Sequence, residues 1–142
     1  MMNNKDILGS VLKTAQMGQT GIRSVIKQNP GPELQEALRN QLMEYNAIEQ
    51  EAYDIANVRG WKLKELSKAS KVMSDMMSRS ILMHDNSDSR MAAMMIQGNT
   101  RGMIKGIKND HKNAATDPRI QALSQKLINL ENLNIQKMQG YL

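Results

Sequence analysis

Residues 32–61, PELQEALRNQLMEYNAIEQEAYDIANVRGW, decide the fold. Leu34, Leu38, Gln41, Tyr45, Ile48, Ala52 and Ile55 recur every three or four residues, which places them on one face of a helix. The two-residue alternation of a strand is absent. Pro32 suits the first helical turn, where its missing N–H costs nothing, and Glu33 favours the positive helix end. Arg59-Gly60 marks the other end, since glycine commonly stands just past the last turn. At 1.5 Å per residue such a helix is nearly 40 Å long, roughly the full length of a small helical domain.

Upstream, Asn29-Pro30-Gly31-Pro32 breaks the chain, because proline disfavours helical geometry in the residue before it. The preceding segment, about 4–28, repeats Val11, Ala15, Gly18/Gln19, Ile22 and Ile26 on one face. Two long helices joined by so short a turn are expected to lie antiparallel. Downstream, residues 61–84 place Leu63, Leu66, Ala69, Met73, Met76 and Ser80 on one side. Lys62, Lys64, Lys68 and Lys71 stand opposite Leu66, Met73 and Met77, as the solvated face of an amphipathic helix would. After the polar break Asp85–Ser89, a helix over about 88–110 carries Ala92, Ile96, Thr100, Met103 and Ile107 inward. The loop Lys112–Thr116 leads to Asp117-Pro118, a cap followed by proline at the first helical position. The last helix, about 118–139, carries Ile120, Leu123, Leu127, Leu130, Ile135 and Met138.

The two long hairpins echo one another. Gln16, Gly21, Ile26 and Lys27 recur as Gln97, Gly102, Ile107 and Lys108, and Pro32-x-Leu34 recurs as Pro118-x-Ile120. The expected fold is therefore all-α: residues 1–142 form a single ferritin-like four-helix bundle, with long helices at about 4–28, 32–59, 88–110 and 118–139. A crossover helix at about 63–83 joins the second and third. The alternative is a five-helix array without the long crossover. Composition agrees, with 3% aromatics, no Phe and 13 Met in 142 residues, a core suited to helices rather than sheets.

Several function classes fall away. With no cysteine there are no disulfides, thiolate metal sites or cysteine nucleophiles. Met1–Ser10 is polar and does not read as a secretory signal, and no apolar run approaches the ~20 residues of a membrane span, so a cytoplasmic protein is expected. No Walker-type glycine loop occurs; Gly18, Gly21, Gly98 and Gly102 read as close helix contacts. The net charge of +5 lies entirely in residues 60–142, which raises polyanion binding as an alternative. Base-stacking aromatics are scarce, however, and nucleic-acid binding is not expected.

A working di-iron bundle needs a Glu from each of two helices and a Glu-x-x-His from each of the others. Here Glu44, Glu49 and Glu131 have no histidine three residues on, Gln19 and Thr100 occupy the facing positions, and His84 and His111 lie beside loops. No metal, cofactor or catalytic residue is therefore assigned. Gln19, Glu44, Thr100 and Glu131 form a candidate polar layer that fixes helix register; the alternative is a reduced carboxylate site for metal binding or redox chemistry at Glu44 and Glu131. Met73, Met76, Met77, Met83, Met91, Met94, Met95 and Met103 are read as core filler rather than Cu(I) ligands. Leu66, Met73, Met76 and Met77 form a candidate self-association stripe for a homodimer.

Pro32-Glu33-Leu34 opening one helix, and Glu49–Trp61 (EQEAYDIANVRGW) running into Arg59-Gly60-Trp61, resemble the spore coat F family of the ferritin-like superfamily. Lys62-Leu63 stands where Tyr-Pro usually follows that tryptophan. The resemblance covers roughly residues 5–61. It implies a spore-forming bacterium and a structural or interaction role, with other spore coat proteins as partners and the spore coat as a location.

Overall fold

The computed structural model describes residues 3–112 and 117–142; of the loop expected at 112–116, Lys112 is the last residue of a helix and 113–116 lie outside the described residues. Five helices follow in order: α1 (Asn4–Ile26), α2 (Pro32–Val58), α3 (Lys68–His84), α4 (Asp88–Lys112) and α5 (Pro118–Gln139). Among the described residues there is no strand, and no helix is long and apolar enough to cross a membrane.

Local chemistry sets the helix ends. Asn3 caps α1 by accepting from the Asp6 N–H at 2.9 Å, while the Asp6 carboxylate accepts from the Asn3 N–H at 3.2 Å, a reciprocal capping box. After α1 the chain turns through Asn29, whose φ of 56° is tolerated by a short polar side chain. Gly31 then approaches Asp88 so closely that a Cβ would sit 2.6 Å from its carboxylate, and the Gly31 N–H donates to Asp88 at 2.9 Å. α2 ends in a Schellman motif: Trp61 N–H bonds the Ala56 carbonyl at 2.9 Å and Gly60 N–H that of Asn57 at 3.2 Å. Gly60 has the left-handed φ of 68° that this ending requires.

The helices pair as two hairpins. Gly18 of α1 meets Tyr45 of α2, and Gln16 bonds Tyr53 farther along, so α1 and α2 run antiparallel. Gly102–Glu131, Gly106–Ile128 and the Ser124–Asp110 hydrogen bond follow the same opposed order in α4 and α5. α1 also packs on α3, α4 and α5, and α2 on α5. Asn109 bonding Ser10, with Thr14 near Gly102, makes α4 antiparallel to α1 and hence parallel to α2. Parallel helices need a connection that runs back along their length, and residues 61–87 supply it.

The core stripe of α2 holds Leu34, Leu38, Gln41, Tyr45, Ile48, Ala52 and Ile55, all buried at the expected helical spacing. In α4 the buried face is turned by about one residue from the sequence reading. Met91, Met95 and Asn99 point inward, with Gly102 and Gly106 against α5, whereas Ile96, Thr100, Met103 and Ile107 are only partly covered. A Cβ at Gly106 would fall 2.8 Å from Ile128, so the helices meet where side chains are absent, which apolarity alone does not reveal. The hairpin echo extends to environments only in part: Ile26 and Ile107 are both partly covered and Lys27 and Lys108 both exposed, but Gln16 is buried and Gln97 exposed, and Gly21 faces open space where Gly102 meets a tight contact.

The crossover departs most from expectation. Residues 61–67 are not helical, so α3 begins at Lys68 rather than near 63. Side chains of α1 and α2 hold this stretch: Gln16 accepts from the Leu66 N–H at 2.8 Å, and Tyr53 donates to Glu65. Leu63 is buried beneath it. α3 proper is inverted. Lys71, Ser74, Asp75, Ser78, Ile81 and Leu82 are its more covered positions, with Ser24 of α1 donating to Asp75 at 2.6 Å, while Met73, Met76 and Met77 are exposed. Of the lysines expected in solvent, Lys62, Lys64 and Lys68 are exposed and Lys71 is partly covered, but the methionine stripe expected opposite them lies in solvent as well.

Asp117 joins the two hairpins at one end. It caps α5 by accepting from the Arg119 and Ile120 N–H groups and pairs with Arg59, whose guanidinium lies 5.4 Å from the Trp61 ring centroid. Asp117→Ala is expected to cost about 0.5–2 kcal/mol, the range for a lost helix cap, and to lower the midpoint of thermal unfolding. An Asp117→Asn variant, which keeps a capping oxygen but not the charge, should recover most of that loss. Equal losses in both would assign the effect to the Arg59 pair.

Candidate functional site

At mid-height the core changes from apolar to polar. α1 contributes Gln16 and Gln19, α2 Gln41 and Tyr45, α4 Asn99, and α5 Glu131 and Asn134, all buried. Each lies at helical spacing from apolar neighbours: Asn99 follows Met91 and Met95, and Asn134 sits between Leu130 and Met138. The helices therefore turn these polar groups inward along with the aliphatic ones.

Tyr45 is the hub. Its ring lies against the bare backbone of Gly18, where a Cβ would be 2.8 Å away, and its hydroxyl donates to Asn99 Oδ1 at 2.8 Å. The same hydroxyl lies close enough to the Glu131 carboxyl for the two to act on each other electrostatically. Glu131 is only 2% exposed and fits because Gly102 has no side chain: a Cβ there would lie 3.0 Å from its carboxyl oxygen. Burial pushes the Glu131 carboxyl up to about 8, and the contact with Tyr45 offsets only part of that rise. Burial also raises Tyr45 well above the ordinary phenol range, reinforced by the nearby Glu131 carboxyl. Near neutral pH Glu131 is thus mainly a neutral acid, with a proton to donate.

Of the expected layer, Gln19 and Glu131 are buried in the core. Glu44 is half-buried on the flank of α2, close enough for its charge to act on Tyr45, and one of its oxygens is sealed from solvent without a hydrogen bond. Thr100 is not in the layer. It lies partly exposed, its hydroxyl donating to the Ile96 carbonyl of its own helix at 2.7 Å, and Asn99 takes the inward position. Gln16, Asn99 and Asn134 were not among the layer residues expected from the sequence; Gln16 lies four residues from Leu12, Asn99 four from Met95 and Asn134 four from Leu130, and that spacing was the available signal.

Chemically the layer offers one carboxyl, one phenol and a set of amides. Among the described residues no three Asp, Glu, His or Cys side chains come together as a metal cluster, and His84 and His111 are both exposed. Several buried atoms have no hydrogen-bond partner within the protein, among them Glu131 Oε2, both side-chain polar atoms of Gln41 and both of Asn134. A cavity of about 10 Å³ between Thr14, Gly102, Gly106 and Ser124 gives room for roughly one water beside the layer. Buried among apolar neighbours on four helices, these groups can fix helix register.

The stripe Leu66, Met73, Met76 and Met77 is only partly brought together. Leu66 lies before α3, half-buried and tied to Gln16, whereas the three methionines share the outer face of α3 with Val72 and Met83. A second surface feature was not singled out from sequence. Arg101, Lys105, Lys108 and Lys112 line a shallow groove along α4 with Ile104. Compared with protein-family models, curated proteins and solved structures, the chain matches none.

Proposed function

We propose that this chain is a non-enzymatic structural or protein-interaction protein, similar to spore coat F, built as a ferritin-like four-helix bundle of α1, α2, α4 and α5 with α3 as the crossover. The two antiparallel hairpins and the parallel course of α2 and α4 support the architecture. The observation that carries the function is α3 itself, an amphipathic helix with its methionine side in solvent and its polar side on α1. A helix inverted in this way leaves apolar surface for another molecule. A tagged copy followed through sporulation is expected to concentrate in the spore layers, and Met73→Glu/Met77→Glu is expected to disperse it without unfolding the chain. Even distribution in growing cells, with no spore enrichment, refutes the coat reading.

No tightly bound transition metal is proposed; stoichiometric iron after purification, lost in Glu44→Gln or Glu131→Gln, would favour the carboxylate-site reading instead. The α4 groove supports a second reading, binding to a polyanion, because Arg101, Lys105, Lys108 and Lys112 recur on one exposed face and none forms an ion pair with a described residue. That reading requires an affinity that falls steeply with salt as counterion release loses its entropic gain, and that drops in Lys105→Glu/Lys108→Glu.

A further inference from the structure

We infer that α3 pairs antiparallel with α3 of a second copy of this chain, with Met76 at the two-fold axis and Ala69 opposite Met83 of the second copy. This inference rests on the interaction reading above and names its partner. Ala69, Met76 and Met83 are spaced by seven residues, and Val72 and Met73 fall between the first two, the repeat of a helix-pairing seam. All five lie on the exposed side of α3, with Met83 83% exposed and Met76 60%.

Three features select a second copy. Two-fold pairing about Met76 sets the small Ala69 against the large Met83, so the seam fills without a clash. It also brings the Lys68 end of each α3 to the Asp85 end of the other, where the carboxylate and the negative helix terminus both favour a cation. Finally, Arg79 comes beside Met73 of the second copy, where its aliphatic stem adds apolar cover while its guanidinium stays 2.9 Å from Asp75. An acyl-inserting face would instead carry Trp, Phe or Leu, and this face has none.

The native chain has no cysteine, so single substitutions report the register directly. The full-length protein is expected to scatter light as a species of twice 16.0 kDa. On oxidation, Met76→Cys should form a cross-linked dimer by itself. Ala69→Cys and Met83→Cys should each remain uncross-linked alone and join when mixed, because the two copies of residue 69 stand about 20 Å apart, beyond disulfide reach. Met76→Glu should weaken pairing by about tenfold or more while the helicity of the dilute single chain stays unchanged, since the residue is exposed there.

A monomer at the highest soluble concentration overturns the inference. Self-cross-linking of Ala69→Cys does so as well, since it means a parallel pair, and so does a monomer that binds phosphatidylglycerol-rich vesicles through this face. The two readings fail separately. A monomer whose spore-layer location still depends on Met73 and Met77 overturns the pairing and leaves the interaction role. A dimer of the stated register spread evenly through growing cells supports the pairing and removes the coat role.

Discussion

Between about pH 5 and about pH 9 the protein should lose on the order of 3–5 kcal/mol of stability, and Glu131→Gln should abolish most of that slope. The cause is the Glu131 carboxyl held between α2, α4 and α5, whose pKa rises from 4.5 to about 8 because burial penalises its charged form. A folded value raised above the unfolded one means that the native state binds the proton more tightly. The associated stability is complete below about 4.5 and disappears as the pH climbs through about 8. Glutamine has nearly the same shape and never ionises, so the variant should match the parent in acid and exceed it in base, with a melting point higher by on the order of 10 °C near pH 9. Thermal unfolding of both proteins across this range is the measurement. A parent that melts at the same temperature throughout would mean that the Glu131 carboxylate reaches water.

Gly18→Ala and Gly21→Ala should move stability in opposite directions although they lie one turn apart on the same helix. At Gly18 the new Cβ would stand 2.8 Å from the Tyr45 ring, and that ring cannot withdraw because it is 1% exposed and anchored to Asn99. Overpacking of this kind costs about 1–3 kcal/mol, more than the ~1 kcal/mol that alanine gains over glycine inside a helix. At Gly21, and likewise at Gly98, a Cβ meets nothing within 4 Å, so the helical gain of up to ~1 kcal/mol stands alone. Denaturant midpoints of the single variants check this, and Gly18→Val should fall below Gly18→Ala. All four glycines at 18, 21, 98 and 102 were expected to mark close contacts; only Gly18 and Gly102 do.

How legible each element was followed its chemistry. α2 could be read closely because a regular stripe, Leu34 to Ile55, lies between a proline start and a glycine end, and all three are local properties of the chain. The same held for the cap at Asp117, though its Arg59 pair appears only in three dimensions, as does the capping box of Asn3 and Asp6. The candidate polar layer was half legible: Gln19 and Glu131 stood out against apolar neighbours, but Thr100 was chosen where Asn99 is buried. The periodicity of α4 is blurred by apolar residues on adjacent faces, and its phase is set by Gly102 and Gly106, which carry no hydrophobic signal.

The sequence alone determined that the chain is helical and where most of its helices begin and end, because periodicity, capping and proline or glycine breaks act over a few residues. It also determined the lack of any Glu-x-x-His pair, which is a matter of residue order. Only the tertiary structure decided which way α3 faces. An amphipathic pattern shows that a helix has two faces but not which one meets the rest of the protein. Ser24 bonding Asp75, with Leu82 buried, holds the polar side of α3 on α1 and leaves Met73, Met76 and Met77 outside. The same limit applies to Glu131. Its acidity depends on how completely Tyr45, Gly102 and neighbouring helices exclude water, a property of the assembled core that no local segment specifies.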